Sequence, residues 1–342
     1  MSYSHGMAAL NLEMPPRVPR TEYSATTHWQ LIKAVTGIQE RTAEAQKEFV
    51  KAWNYDLNWN TAIGGHEFGD MRTKMGHAVY EEGGVDFDAE VSELFTDRLE
   101  VYAFDFDKNL GNRAKSDIIA HFNENYSHQC REYPDTVNMT GIYITCMSGL
   151  IDLLGWEMLL EAASDHNAFG DFTARYVKWV TPYFEALGQC DSPVVMIHDD
   201  IVWTSGPFLH PDWYRKFLFP HYKTLFSHLT GKKILFTCDG DFTMFVDDIA
   251  NAGVNGFVME PLTDMGYIAE RYGKTHSFVG NADTRILLSG SKDDIYNEVK
   301  RCIDIGKNCP GFFMAVGNHI PSNTPVDNAL YYNEVYEKLS VR

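Results

Sequence analysis

Short apolar runs that end in polar residues alternate along this chain with longer stretches of helical periodicity. The apolar runs cover residues 55–63, 99–106, 140–147, 192–200, 232–241, 254–261, 275–283 and 311–319. Between the later runs, apolar residues recur every three to four positions, which is typical of amphipathic helices. Strands that alternate with helices predict a parallel sheet, and eight such units predict a closed (β/α)8 barrel, the TIM barrel. An open doubly wound sheet is the alternative.

The ends of several elements can also be predicted. The helical stretch at 210–229 has an apolar face that Pro220 should kink or break. The helix that follows Ser291 carries Asp294 near capping-box spacing and ends in Gly306. Residues 1–20 contain three prolines and no periodicity, which predicts an irregular N-terminal arm. Residues 21–342 are predicted to form a single barrel domain that begins with a helical extension.

Charge and composition narrow the class of protein. The chain has 342 residues, of which 44% are hydrophobic, and a net charge of −18 without any Lys/Arg-rich run. This balance argues against nucleic acid as a partner. No apolar stretch approaches the roughly 20 residues of a membrane-spanning helix, and the first residues lack the pattern of a signal peptide. The six cysteines have no paired spacing, so we expect reduced thiols and a cytoplasmic location.

The later strands all end in polar residues that can perform chemistry. These endings are His198-Asp199-Asp200, Thr237-Cys238-Asp239, Glu260-Pro261, Asn281-Ala282-Asp283 and Asn318-His319. A single ending of this kind would be ordinary turn or helix-cap chemistry, which is the interpretation that suits Asp200 and Asp283 best. Five endings on one barrel rim predict a functional site. Its carboxylates and imidazoles suit a divalent metal or general acid–base catalysis.

The alternation of side chains along a strand assigns directions on the strand that ends in Asp239. If Asp239 points into the barrel, Thr237 does so as well, and Cys238 points outward into the helix layer. We therefore expect Cys238 to be a packed apolar residue and not a ligand.

Several motifs resemble the uroporphyrinogen decarboxylase superfamily. In the C-terminal half they are HDD…GPFLHPDWYRKFLFPHY, ILFTCDGD, GNADTRILLSG and GNHIPSNTP. Two N-terminal motifs, VPRTEYSATTHWQLIKAVTG and DMRTKMGHAVYEEGGVDFD, are more similar to its corrinoid-dependent methyltransferase branch than to the decarboxylases. The resemblance extends from about Arg17 to the end of the chain. It implies a (β/α)8 barrel with the site at the carboxyl ends of the strands.

Two departures from the superfamily's patterns matter. The Arg-rich motif with which the decarboxylases hold a polycarboxylated tetrapyrrole is not reproduced in PPRVPRTEYS, and the acidic rim would repel such a substrate. The zinc methyltransferases of thiol and methanol pathways have His-x-Cys where this chain has Thr237-Cys238-Asp239. Their third ligand is a cysteine where this chain has Asn318-His319. These replacements argue against a zinc site built from thiolates.

With the decarboxylases and the thiolate zinc enzymes set aside, the chain resembles the methyltransferase component of anaerobic O-demethylases. The resemblance implies transfer of a methyl group from a small methoxylated, aromatic compound to the Co(I) of a corrinoid. The chain has no Asp-x-His-x-x-Gly cobalamin motif, so the corrinoid would arrive on a separate protein. Zinc or another divalent metal is implied as the activator of the ether oxygen, with Asp239, Glu260 and His319 as its ligands. Alternatively, His198 and Asp199 would form a proton-donating site together with Asp239.

Candidate contacts with the substrate complete the hypothesis. They are Tyr143, Trp203, Phe208, Phe242, His66 and Asn281. His66 belongs to a Gly-rich segment at 64–77, which is either a lid over the barrel or a surface loop. A homodimer is one option for the assembly. Two other functions stay open, namely onward methyl transfer to tetrahydrofolate through Asp199, Asn281 and Asp283, and a non-catalytic binding protein on the same scaffold.

Overall fold

The computed structural model describes residues 1–73 and 92–342, together with the backbone of two strands, 78–81 and 84–87. Part of the motif at 70–88 and the end of the segment at 64–77, including His77, therefore lie outside the described residues. The strands are β1 (Leu57–Asn58), β2 (Ala78–Glu81), β3 (Gly84–Phe87), β4 (Val137–Asn138), β5 (Thr140–Ile142), β6 (Val194–His198), β7 (Val202–Trp203), β8 (Gly206–Pro207), β9 (Lys233–Cys238), β10 (Gly256–Met259), β11 (Ser277–Ala282) and β12 (Phe312–Val316).

The helices surround these strands. In chain order they are α1 (Tyr3–Leu10), α2 (Trp29–Thr36), α3 (Ala43–Ala52), α4 (Arg98–Ala103), α5 (Phe106–Leu110), α6 (Lys115–Glu132), α7 (Met147–Ala163), α8 (His166–Gln189), α9 (Pro211–Phe217), α10 (Phe219–Ser227), α11 (Val246–Ala252), α12 (Met265–Tyr272), α13 (Thr284–Ser289), α14 (Lys292–Gly306) and α15 (Val326–Leu339). No helix in the described part of the chain is both long and apolar enough to span a bilayer.

The central sheet is parallel and closes into a ring. Six strands pair in the order β12-β11-β10-β9-β6-β5, and β1 pairs in parallel with β4. The ring is completed by residues 18–21, because Arg20 forms a parallel bridge with Met314 of β12 and its carbonyl accepts a hydrogen bond from the Asp56 amide at 2.8 Å. On the other side, Ile63 bridges Ile142 in parallel. The prediction of an α/β fold of the TIM-barrel type is confirmed.

Two apolar layers hold the barrel together, one inside the ring and one between the ring and the helices. Val194, Met196 and Leu235 belong to the inner layer, whereas Val195 and Phe236 belong to the outer one. This alternation follows from the pleat of each strand, and burial on both faces explains why the strands are continuous apolar runs in the sequence. Cys238 is buried in the outer layer, as the alternation predicts.

Two predictions about the first hundred residues are wrong. The arm is not irregular, because residues Tyr3–Leu10 form α1, capped by the Ser2 hydroxyl, and residues 18–21 supply a barrel strand. The run at 99–106 is not a strand but parts of α4 and α5. Asp97 caps α4 by accepting hydrogen bonds from two amides, and in α4 only Val101 is buried while Leu99 is exposed.

Predictions about element ends in the C-terminal half are confirmed. The helical stretch around Pro220 is broken into α9 and α10 at Leu218. Ser291 and Asp294 form a reciprocal capping box at the start of α14, which ends at Gly306. All six cysteines of the chain are free.

Candidate active site

A cavity of about 290 Å³ opens at the carboxyl ends of the barrel strands. This volume lies at the lower end of the range of about 300–1,000 Å³ that is usual for ligand pockets. The lining residues are Tyr23, Ser24, Trp59, Asn60, Thr61, Tyr143, Met196, His198, Thr237, Cys238, Asp239, Val258, Met259, Glu260, Gly317, Asn318 and His319. The structure thus brings the predicted residues Tyr143, His198, Asp239, Glu260 and His319 to one cavity.

His198, Asp200 and Asp239 form a compact cluster at this rim. β6 ends at His198 and β9 ends just before Asp239, and the two strands pair with His198 opposite Thr237. His198 Nε2 lies 3.5 Å from Asp200 Oδ1, and the Asp239 amide donates to the same oxygen at 2.9 Å. One potential ligand atom from each of the three side chains lies within 4.8 Å of the others.

The Asp239 carboxyl group is held in an unfavourable place for a negative charge. It is exposed to the solvent in the cavity and lies between the rim segments that line it. Burial, reinforced by the charges of Asp200 and Glu260, raises the pKa of Asp239 well above its usual value. Either a proton or a cation relieves this repulsion, so the carboxyl group is suited to donate a proton or to ligate a metal.

Neighbouring side chains orient His198. The Tyr143 ring stacks on the imidazole with 3.8 Å between ring centroids. The Ser148 hydroxyl lies 3.2 Å from His198 Nδ1, and it accepts a hydrogen bond from the Asp200 amide at 2.8 Å. A single hydroxyl at the start of α7 therefore positions both the imidazole and the neighbouring carboxylate, as side chains behind metal ligands commonly do.

The donor set fits a divalent cation, although it is not the set that was predicted. Two carboxylates and one imidazole suit Zn²⁺ and other borderline or hard cations. Within residues 1–73 and 92–342, the group with metal-ligand spacing contains Asp200, which had been interpreted as a turn residue. Glu260 and His319 line the same cavity but fall outside this group.

Glu260 and His319 have other roles in the structure. The Glu260 carboxylate accepts hydrogen bonds from the Gly240 amide at 2.7 Å and from Asn318 Nδ2 at 2.6 Å. It therefore ties the end of β9 to the segment after β12. Burial lowers the pKa of His319 to about 4, so its imidazole is neutral near pH 7.

Asp199, predicted to be catalytic, points away from the cavity. Its carboxylate accepts hydrogen bonds from the amides of Cys146 at 3.1 Å and Ser148 at 2.7 Å, and from the Tyr222 hydroxyl. Burial raises the pKa of Asp199 to about 6, in spite of these hydrogen bonds. The carboxylate stabilises the first turn of α7 and is absent from the cavity lining.

The other two residues considered for pterin binding, Asn281 and Asp283, also have hydrogen-bond or ion-pair partners within the protein. Asn281 is fully buried and donates to the carbonyls of Glu260 and Thr263, both at 3.1 Å. Asp283 caps α13 and pairs with Arg285 at 2.7 Å. Asn281, which was also predicted to contact the substrate, instead fixes the ends of β10 and β11.

Most of the predicted aromatic contacts lie outside the cavity. Trp203 and Phe208 pack with Trp156 in a separate cluster around the β7–β8 hairpin, with ring centroids 5.1–5.7 Å apart. Phe242 is fully buried in the outer apolar layer, where it meets Phe236. Among the predicted aromatic side chains, Tyr143 is the one that lines the cavity.

His66 lies on a loop that is fixed to the helices. Its neighbour Glu67 accepts hydrogen bonds from Arg113 at 2.5 Å and from the Tyr183 hydroxyl at 2.8 Å. His66 itself is largely exposed and is not a lining residue of the cavity. The described part of the segment at 64–77 is therefore an anchored surface loop, and the prediction of a lid finds no support in it.

Several lining residues lie outside the strand ends that the sequence pattern singles out. Tyr23 and Trp59 stack with their centroids 4.7 Å apart and form one wall of the cavity. Tyr23 follows a barrel segment that is too short to show a strand pattern, and the signal that could have found it is its place in the VPRTEYS motif. Trp59 lies within the apolar run at 55–63, directly after β1. Thr237 follows from the alternation argument but had been assigned no role.

No lysine or arginine lines the cavity within the part of the chain that the structure describes. Arg17 pairs with Asp56 at 2.8 Å, and Arg20 is buried against Glu22 and beneath the Trp53 ring. The arginines of the PPRVPR segment therefore support the barrel wall and leave the cavity acidic. Among the described lining residues, a polycarboxylated tetrapyrrole would meet no lysine or arginine.

Comparisons with known proteins agree with this architecture. The chain is 26% identical over 176 residues to the uroporphyrinogen decarboxylase of Carboxydothermus hydrogenoformans, covering 51% of this chain and 49% of that protein. It is 28% identical over 160 residues to that of Geotalea uraniireducens, covering 46% and 45%. The matches thus span about half the length of these curated relatives.

A solved methyltransferase from Methanosarcina mazei shares the fold, with a TM-score of 0.66 at 18% sequence identity and 98% coverage of both chains. The sequence profile of the uroporphyrinogen decarboxylase (URO-D) family matches residues 133–339, which include β6, β9 and the other strands that carry the acidic rim. The chain belongs to the URO-D family.

Proposed function

We propose that this protein is a methyltransferase that moves a methyl group from a small methoxylated aromatic compound to the Co(I) of a separate corrinoid protein. Its fold resembles that of the Methanosarcina mazei methyltransferase, and the described lining of its cavity contains no lysine or arginine to pair with a polycarboxylated substrate. Its six free cysteines suit a reducing cytoplasm, which is also where Co(I) would survive.

The cluster of His198, Asp200 and Asp239 at the cavity rim is the observation that carries the proposal. In the reaction the O–CH₃ bond breaks, its electron pair stays on the oxygen, and the methyl carbon bonds to cobalt. A phenolate is a poor leaving group, so the developing negative charge must be neutralised by a cation or a proton. Stabilisation of such a charge contributes several kcal/mol to catalysis.

The proposal assigns roles to individual side chains. His198, Asp200 and Asp239 would hold a divalent cation, zinc being the one implied by the family resemblance. Such a cation would supply Lewis-acid stabilisation to the ether oxygen. Without a cation, the raised pKa of Asp239 would favour its protonated form as the proton donor to the departing oxygen. Glu260 and His319, on the same wall, are assigned to substrate contact.

The alternative of onward transfer to tetrahydrofolate loses its structural support. The three groups considered for a pterin are Asp199, Asn281 and Asp283, and each is engaged within the protein. None of them lines the cavity. Loss of the usual zinc-binding cysteines keeps a non-catalytic binding protein as the other alternative, and the experiment below separates it.

The test is anaerobic and optical. The protein is mixed with cob(I)alamin and a panel of methoxylated aromatics, and methylcobalamin formation is followed by absorbance. Protein treated with a strong chelator and then reloaded with Zn²⁺ shows whether a metal or a proton activates the oxygen. Methylation that is lost with the chelator and restored by zinc supports the metal. Methylation that survives chelation supports Asp239 as the acid.

No methylation with any ether, even with a corrinoid protein from an O-demethylating organism, would refute the proposal. Demethylation of methylcobalamin by tetrahydrofolate in the same cuvette would favour the onward enzyme. Failure of both reactions would favour the binding protein.

A further inference from the structure

Three hydrogen-bond donors in the cavity wall have no partner. Within residues 1–73 and 92–342, Tyr23 Oη, Trp59 Nε1 and Thr237 Oγ1 are buried atoms that make no hydrogen bond. Thr237 is only 7% exposed, and all three residues line the cavity. Because a buried donor without an acceptor costs free energy, a ligand that brings acceptor oxygens is the natural occupant.

The Tyr23 hydroxyl stays protonated in this place. Burial, together with the charges of Asp239, Glu22 and Glu260, holds the pKa of Tyr23 well above its usual value. The phenol group therefore remains a donor at any pH at which the protein functions. Asp239 and Glu260 line the same cavity as the three donors.

The charge of the cavity limits what the occupant can be. Asp239 and Glu260 contribute carboxylates, Asp200 lies behind them, and the described lining contains no lysine or arginine. A bound dication would only neutralise Asp200 and Asp239, so the charge of Glu260 would remain. A ligand carboxylate would face the charge of Glu260 and would meet no lysine or arginine in the described lining, which is costly in a partly buried site.

The hydrogen-bonding groups of the cavity also favour a ligand without a carboxylate. A phenol hydroxyl accepts from donors such as Tyr23 and Trp59 and also donates to a carboxylate such as Glu260. A ligand carboxylate only accepts and leaves the protein carboxylates without a donor. The size agrees, because a cavity of about 150 Å³ holds benzene, and about 290 Å³ therefore leaves room for one ring with small substituents.

We infer that the substrate is a single-ring methoxyphenol that carries no carboxylate, recognised through its oxygens by Tyr23 and Trp59. This inference rests on the proposed function and narrows its substrate class. It separates neutral methoxyphenols from methoxybenzoates, although both classes carry the same aryl methyl ether.

Binding to the protein alone tests the inference without any corrinoid. Calorimetric titration compares 2-methoxyphenol, 4-hydroxy-3-methoxybenzoate and the methyl ester of the latter, with zinc-loaded and with chelated protein. Because like charges brought together cost several kcal/mol, 2-methoxyphenol should bind at least about 100-fold more tightly than the benzoate. The ester should bind within about tenfold of 2-methoxyphenol, since it keeps the added bulk but not the charge.

Two variants test the donors. Tyr23→Phe and Trp59→Phe should each weaken 2-methoxyphenol binding by about 10-fold, because each removes one hydrogen bond. The binding of methoxybenzene, which lacks the hydroxyl, should change less. Tyr55→Phe, at another buried hydroxyl without a partner but outside the cavity, and Trp203→Phe, outside the lining, are the matched controls. Thermal unfolding checks that every variant is folded.

Several results would overturn the inference. They are equal affinity for the benzoate and 2-methoxyphenol, an ester that binds as weakly as the benzoate, or no binding of any phenol. Unaltered affinity in both cavity variants would do the same. These outcomes are measurements of binding alone. They can therefore be distinguished from a failure of methyl transfer, which would refute the proposed function. A protein that methylates cob(I)alamin from methoxybenzoates would retain the proposed function and lose this inference.

Discussion

Clusters of charged side chains at two places in the described chain can be compared, namely the N-terminal closure of the barrel and the rim of the cavity. In the first region, Arg20 and Glu22 are both fully or almost fully buried. The Glu22 carboxylate accepts from Arg20 at 3.1–3.2 Å, from the Tyr332 hydroxyl at 2.8 Å and from the Val316 amide at 3.0 Å. Opposite charges face each other, and each oxygen has a donor.

In the second region, charges of the same sign face each other. Asp239 and Glu260 line the cavity, Asp200 lies beside them, and the bases in the described lining are the imidazoles of His198 and His319. In the first arrangement, opposite charges and hydrogen bonds offset part of the cost of burial and fix residues 18–22 against the last strand. The second stays unfavourable until a proton, a cation or a ligand arrives. The contrast indicates which cluster serves the fold and which serves the chemistry.

The largest expected effect comes from Asp239→Ala. This change removes a ligand or proton donor at the reacting oxygen and should lower the rate of methylcobalamin formation by about 10³-fold or more. The fold should survive, because the lost carboxylate is repelled by its neighbours. Asp241→Ala, two residues further on and outside the lining, should retain its rate. Near-normal turnover in Asp239→Ala would show that the rim cluster is not the reactive centre.

The next largest effect is expected on the free energy of unfolding, from a substitution at the N-terminal closure of the barrel. Arg20→Met leaves Glu22 buried without its cation and should lower the free energy of unfolding by about 3–5 kcal/mol. The measurement is urea unfolding followed by tryptophan fluorescence. Lys47→Met, which breaks an exposed ion pair with Glu132, is the control and should leave the free energy of unfolding unchanged within error.

The pH dependence of Arg20→Met gives a sharper test. Burial raises the pKa of Glu22 even with Arg20 present, and loss of the arginine should raise it further. Because the folded pKa lies above the unfolded value, stability from the protonated acid is present below about pH 4.5 and is lost as the pH rises. The difference in the free energy of unfolding between the variant and the wild type should therefore grow as the pH rises above about 4.5. A constant difference across this range would mean that Glu22 does not carry the effect.

The sequence predicted the fold where strands are buried on both faces. β6, β9, β11 and β12 appear as continuous apolar runs because helices cover one face and the barrel interior covers the other. The segment at 18–21 has no such run, since long-range pairing with Met314 and Asp56 defines it as a strand. The prediction of a strand at 99–106 is wrong because the Asp97 cap favours a helix there in spite of the alternating pattern.

The candidate site was predictable as far as side-chain direction follows from the pleat. Thr237 and Asp239 alternate with Cys238, and the structure places Asp239 on the cavity wall. Beyond the end of a strand, the alternation of side chains no longer applies. For this reason the sequence predicts a turn role for Asp200, which belongs to the rim cluster, and a catalytic role for Asp199, which points away from the cavity. Trp203, Phe208 and Phe242 lie near strand ends in the sequence, but that proximity does not tell which layer a ring enters.

A smaller effect is expected from Ser148→Ala, which tests how the rim cluster is held. The change removes the hydroxyl that contacts His198 Nδ1 and accepts from the Asp200 amide. Zinc affinity, measured by competition with a chromogenic chelator, should fall by about 10- to 100-fold. Thr145→Val removes a buried hydroxyl without a partner in the described chain and should leave zinc affinity unchanged. Equal affinities in both variants would mean that Ser148 does not position the ligands.

The smallest effect is expected from Asp199→Asn, which asks whether adjacency to His198 in the sequence implies a role in catalysis. The amide keeps an oxygen for the amides of Cys146 and Ser148 and offers an N–H to Tyr222, whose hydroxyl can turn to accept it. Methyl transfer should therefore stay within about threefold of the wild type, and stability should fall by about 1 kcal/mol. Parallel measurement of single-turnover rate and urea unfolding separates the two. A rate as low as that of Asp239→Ala in a variant of unchanged stability would move Asp199 into the reactive cluster. The contrast between the two regions would then fail, because a fully hydrogen-bonded carboxylate would be taking part in the chemistry.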